Sequence, residues 1–310
     1  MSSGIRNRVA LAAGLVLLAA CAGPAGGADD GRVDVTVTTT HAADLLRTVG
    51  GAHVEVTALM GPGVDPHLYR ASQGDVRALV GADLVVYHGL FLEGRMEEVL
   101  EAGALERVLA LTDTLPRAEL LASADYTDQH DPHVWFDPVL WVQVVDPVVA
   151  ELSEIAPEHA ADFAAGGRAY VEEALAAHAE ATELLAAVPE RRRVLVTSHD
   201  AFGYLGRAYG LEVRGVQGLS TEDEAGVADV RSLVDLLVER QVPALFTESS
   251  VSPASIEAVR EAAADRGWKV RVPERGLYSD ALGEPGTPTG SYAGMLRANA
   301  ETIATALGGS

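Results

Sequence analysis

Residues 157–189 read PEHAADFAAGGRAYVEEALAAHAEATELLAAVP, and this stretch decides how the rest of the chain is divided. Pro157 suits the first turn of a helix, the interior is rich in Ala, Glu and Leu, and Pro189 stands where a helix must already have ended. The stretch predicts one helix on the order of 45 Å long, at about 1.5 Å per residue, with Gly166-Gly167 as its weakest point. On both sides the pattern changes. Before it, short β-branched runs at 33–38, 55–59, 84–87 and 108–111 alternate with helical stretches at 42–49, 72–80 and 93–102. After it the rhythm resumes, with strand-like runs at 194–197, 212–216, 244–247 and 269–272 and helices at 223–240 and 253–264. Strands that are continuously apolar and separated by helices belong to buried parallel sheets. The expected fold is therefore α/β, with a first lobe over 32–150, a linking segment of one long rigid helix over 151–189, and a second lobe over 190–310. Each lobe is a parallel sheet covered by helices, and no sequence repeat relates the two.

Arg6 and Arg8 precede an apolar run at 10–20 that ends Leu18-Ala19-Ala20-Cys21. The run is about half of the roughly 20 residues that a membrane-spanning helix needs, and it reads as a secretory signal peptide over 1–21. Its ending resembles a bacterial lipobox, in which Cys21 takes the lipid; residues 22–31, without large apolar side chains, read as a flexible tether. The expected location is the outer face of the cytoplasmic membrane through that anchor, or the periplasmic or extracellular space. Cys21 is the only cysteine, which excludes disulfides and a thiolate metal site. With 45 acidic residues against 23 Lys and Arg, net charge −22, the surface does not suit nucleic acid or anionic lipid.

Four stretches carry metal-ligating side chains just beyond strand-like runs, where α/β folds place their ligands. They are Asp65-Pro66-His67, Asp131-Pro132-His133-Val134-Trp135-Phe136-Asp137-Pro138, Ser198-His199-Asp200, and Tyr278-Ser279-Asp280. Asp137 is expected to orient the His133 ring, since metal-bound imidazoles usually lean on a carboxylate, and Trp135 and Phe136 to shield the site. Ser198 or Asp200 also suits a helix N-cap. Glu248 at a strand end is read as a helix-start or interface residue and, failing that, an accessory carboxylate. His130 is a candidate for recruiting metal at the cleft mouth. His41, His53, His88, His159 and His178 are not expected to be ligands, the last two being solvated on the long helix.

Together with 218–224 (GLSTEDE) and 286–292 (GTPTGSY), these stretches resemble, in order and over about 33–307, the zinc/manganese class of ABC-transporter solute-binding lipoproteins, often called cluster A-I. The resemblance implies that His67 and His133 from the first lobe, with His199 and Asp280 from the second, hold one divalent ion in the interlobe cleft. It further implies a monomer without catalytic activity that serves a membrane permease and its ATPase. Three imidazoles and one carboxylate lean toward Zn2+, with Mn2+ the alternative. Many zinc-specific relatives carry a long His-rich loop, whereas 120–130 is short and holds only His130. Competing classes are a secreted zinc hydrolase, against which stands the lack of a His-Glu-x-x-His helix and of a Gly-x-Ser-x-Gly elbow, and a metal-stabilised adhesin. Imidazole ligation predicts affinity that falls below about pH 6.5.

Overall fold

The computed structural model describes residues 1, 31–96, 99–100, 103, 105–123, 128–222 and 225–308. Apart from Met1 and Gly31, the expected signal peptide with Cys21 and the tether lie outside the described residues. From Arg32 to Ser310 the chain forms one compact unit.

That unit is built on two parallel sheets. In the first, β1 (Val33–Val37), β2 (Val54–Ala58), β3 (Leu84–Tyr87) and β4 (Val108–Ala110) lie in the order β2-β1-β3-β4, with Val35 opposite both Val56 and Leu84. Helices α1 (Thr40–Gly50) and α2 (Gln73–Gly81) supply the crossovers. Thr39 caps the first; a Ser72–Asp75 capping box starts the second. The expected helix at 93–102 runs into residues outside those described.

In the second sheet β5 (Val194–His199) pairs with β6 (Glu212–Gln217). The strands expected at 244–247 and 269–272 are instead extended segments joined by single parallel bridges, Thr197 to Phe246, Ala244 to Arg271 and Glu248 to Leu277. Pro243 and Pro273 remove backbone donors at the ends of these segments, so a continuous ladder cannot form. With them included, the order is second, first, third, fourth, the same as in the first sheet. Helices α6 (Gly203–Tyr209), α7 (Val227–Arg240) and α8 (Ala254–Asp265) are the crossovers; α3 (Pro138–Trp141) and α4 (Val145–Ile155) precede the long helix and α9 (Tyr292–Leu307) closes the chain.

The long helix, α5, spans Ala160–Ala186 after a 3-10 turn at Pro157–His159. It buries Phe163, Gly167, Tyr170, Ala174, Ala177, Ala181 and Leu185, a stripe with spacings of three and four that faces α9, α1 and α4. The glycine pair marks close approaches: a Cβ on Gly166 would lie 2.5 Å from the Val49 carbonyl, and one on Gly167 would lie 2.8 Å from a Val149 methyl. These glycines let α1 and α4 pack against the helix backbone. One apolar cluster runs from Val33 and Leu45 through Trp135, Trp141 and Phe163 to Phe246 and Leu307, so the core crosses both sheets. Truncating Phe163, which is fully buried, is expected to destabilise by roughly 3–5 kcal/mol.

Candidate metal centre

The four histidine and aspartate stretches meet beyond the carboxyl ends of the two sheets. His67 follows β2 in an Asp-Pro-His turn, where Asp65 Oδ1 accepts the His67 backbone N–H at 2.9 Å and Oδ2 accepts the Thr221 hydroxyl at 2.5 Å. His133 sits in a second Asp-Pro-His turn: Asp131 Oδ1 accepts its backbone N–H at 2.9 Å and lies 2.7 Å from Nδ1. His199 ends β5; Glu248 accepts its backbone N–H at 2.9 Å and places the other oxygen 2.6 Å from Nδ1. Asp280 follows the Glu248–Leu277 bridge, and its Oδ2 accepts the Ser250 hydroxyl at 3.1 Å.

The ligand atoms converge. His67 Nε2 is 3.4 Å from His133 Nε2, His133 Nε2 is 3.5 Å from Asp280 Oδ1, and His199 Nε2 is 3.4 Å from Asp280 Oδ2. All four ligand atoms lie within 4.8 Å of one another, and all four residues are buried. Asp280 turns one oxygen toward His133 and the other toward His199, and separations of this size suit ligand atoms about 2.1 Å from a shared ion. With Asp131 at Nδ1 of His133, the ring proton is assigned there and the Nε2 lone pair faces inward. Asp280 Oδ1 is buried without a hydrogen-bond partner.

Charge completes the argument. Asp131, Glu248 and Asp280 are three buried carboxylates packed around three imidazoles. Burial raises the Asp280 carboxyl, but His199, His133 and His67 more than offset it and hold Asp280 well below the usual carboxylate range. Burial lowers His67 to about 3, so it is neutral and ready to ligate. Burial also pulls His199 down, yet Glu248 and Asp280 at its two nitrogens hold it well above the ordinary imidazole value. A second proton on His199 is thus favoured by the two carboxylates and would compete with a bound cation for Nε2. Proton competition at the imidazoles makes binding weaken as pH falls.

One expected role is corrected. The carboxylate that faces His133 is Asp131; Asp137 instead accepts the Val139 and Leu140 backbone N–H groups at 3.1 and 3.2 Å, capping α3, and pairs with Arg207 at 2.8 Å. The reason is the Asp-Pro-His turn itself, which folds the preceding carboxylate back over the ring. Glu248 faces Nδ1 of His199, on the side away from Asp280. His130 lies beside the cavity that reaches His67. Trp135 donates its indole N–H to the Ser279 carbonyl at 3.1 Å, and the Tyr292 hydroxyl donates to the Trp135 carbonyl at 2.8 Å, which ties the first-lobe motif to the Asp280 loop. Residues so far apart in the chain leave no local pattern that signals the link.

His41 and His88 are buried against Trp135, the first stacked on it with centroids 4.7 Å apart and the second edge-on at 4.6 Å. His159 and His178, expected in solvent, are half-buried, the first stacked on His53 at 3.7 Å and the second 3.0 Å from the Tyr209 hydroxyl. His53, His159 and Asp162 form a second group of potential ligands. Their two rings are stacked within 17° of parallel, so the in-plane lone pairs run side by side instead of toward one point.

Fold and site together define a two-lobed metal-capturing protein. Residues 35–306 match the family model described as ZnuA, zinc-uptake complex component A, periplasmic, and the chain belongs to that family, whose members are solute-binding proteins and not enzymes. It is 47% identical over 284 residues to the manganese-binding lipoprotein MntA of Bacillus subtilis, covering 91% of this chain and 92% of that one. It is 41% identical over 281 residues to the zinc-binding protein TroA of Treponema pallidum, covering 90% of each. The solved structure of that periplasmic TroA superposes with a TM-score of 0.85, covering 89% of this chain and 99% of the other.

Proposed function

We propose that His67, His133, His199 and Asp280 bind one divalent transition-metal ion as cargo, and that this chain delivers it to an ABC permease driven by its ATPase. The observation that carries the reading is the unpartnered Asp280 oxygen among three imidazoles at spacings of 3.4 and 3.5 Å. Cys21 supplies the lipid anchor that holds the protein, as a monomer, outside the cytoplasmic membrane. No helix among the described residues is long and apolar enough to cross a membrane.

Zinc is the cargo we favour, because three nitrogen donors and one carboxylate suit it better than the oxygen-rich octahedra of manganese. A manganese reading is favoured by one finding, the 47% identity to a manganese-binding relative. Zinc binds most nitrogen sites more tightly than manganese, so affinity alone does not name the cargo; release does, because an importer must let its cargo go. Load the protein with each metal in turn and follow its transfer to a chelator at neutral pH. Exchange of zinc within minutes supports zinc as cargo. Zinc that stays bound while manganese exchanges makes manganese the cargo.

A further inference from the structure

The four ligand residues are shut away from solvent, and His67 is the most accessible at 4% exposure. A cavity of about 30 Å³ reaches it, with Leu90, Phe91, His130, Pro132, Leu219 and Ser220 around it. The other three ligands are at most 2% exposed, so the site is closed to a fully hydrated ion. An ion on this path reaches His67 only if the mouth widens and hydration water is shed.

The rim of that mouth has an unusual backbone. Gly89, Leu90 and Phe91 are consecutive left-handed residues, with φ of 91°, 53° and 62°. For Leu and Phe this costs on the order of 1–2 kcal/mol each. A single buried carboxylate holds the turn: Glu93 accepts the backbone N–H of His88 at 2.8 Å and of Gly89 at 3.2 Å, together with the Thr38 hydroxyl at 2.6 Å. The product is a phenyl ring that remains 53% exposed at the rim. Apolar burial does not account for that position, since half of the ring still faces water. Strain held in the closed form lowers the free energy needed to leave it.

We propose that the turn Gly89-Leu90-Phe91 is the gate through which cargo passes, with Phe91 as its moving part. This rests on the metal-site reading above. Phe91 brings no donor atom, so it sets the barrier in both directions and leaves the affinity alone.

The test is stopped-flow zinc uptake, and zinc release to excess chelator, by the whole chain and by Phe91→Ala. Both rate constants are expected to rise at least about fivefold while Kd stays within about twofold. Val139→Ala, which trims another exposed apolar side chain, is expected to change neither. Unchanged rates in Phe91→Ala overturn the gate, and so does faster release matched by an equal loss of affinity, which would make Phe91 part of the binding contacts. A wild-type chain that takes up no zinc overturns the metal site itself, which separates the two failures.

Discussion

The two halves of the candidate centre are assembled in different ways. In the first lobe each histidine is held by the carboxylate two residues before it, Asp65 for His67 and Asp131 for His133, within an Asp-Pro-His turn whose proline restricts the backbone. In the second lobe His199 is held by Glu248, 49 residues away, and Asp280 by Ser250, 30 residues earlier on a neighbouring segment. In the first half the bonds that orient each histidine backbone are local. The second half exists only when β5 and the segments at 244–250 and 277–280 are packed together. Orientation of each first-lobe histidine is thus local, whereas bringing His67 to His133, 66 residues away, needs tertiary packing as the second half does.

Substitutions break this comparison in a definite order. Asp280→Ala removes the only anionic ligand and is expected to weaken zinc binding about 1,000-fold or more in a competition titration, leaving three neutral imidazoles to hold a dication. Glu248→Gln comes next: tenfold to 100-fold in affinity, within the usual range for residues that orient a ligand. It also removes the proton release that His199 provides. Calorimetry at pH 7 in buffers of different ionisation heat should find about one proton released per zinc in the wild type and clearly less in the variant. Asp131→Asn is expected to cost only about tenfold, because Asn still accepts the His133 backbone N–H and the turn persists. If Asp131→Asn proves as damaging as Glu248→Gln, the contrast between local and tertiary halves fails.

Stability follows its own pattern. Burial lowers His41 to about 3, against an ordinary 6.5. Its contribution to stability is whole above pH 6.5 and declines as pH falls from 6.5 toward 3, because the unfolded chain takes up the proton first. His41→Phe keeps a ring on Trp135 and removes the titration, so at pH 5 the metal-free variant is expected to exceed the wild type by about 2 kcal/mol in urea unfolding, and by less at pH 7.5. The smallest effect belongs to Arg95, which pairs with Glu222 at 2.6 Å on the surface; Arg95→Ala is expected to change stability by no more than about 1 kcal/mol.

What the sequence revealed follows the same division. Strand and helix periodicities located the first sheet and the long helix, because buried parallel strands and an Ala-rich helix leave strong local patterns. The residues 244–247 and 269–272 carried a strand pattern, yet prolines nearby reduced them to single bridges. His67, His133, His199 and Asp280 were legible as candidates from motifs at strand ends. Their supports were less so. Asp131 stood beside His133 in the sequence and was passed over for Asp137, whose spacing also fitted but whose backbone places it at a helix cap. The pairing of Glu248 with His199, and the bonds from Trp135 to Ser279 and from Tyr292 to Trp135, join residues far apart in the chain and leave no local signal. Gly166 and Gly167 looked like weak points and turned out to be where other helices approach.

The central claim is that these four side chains hold a single ion together, and X-ray absorption spectroscopy of the zinc-loaded chain tests it most directly. The account predicts one zinc per chain, four-coordinate, with about three imidazole scatterers and one carboxylate oxygen at about 2.0–2.1 Å. A six-coordinate shell dominated by water, or one with fewer than two imidazoles, would contradict it.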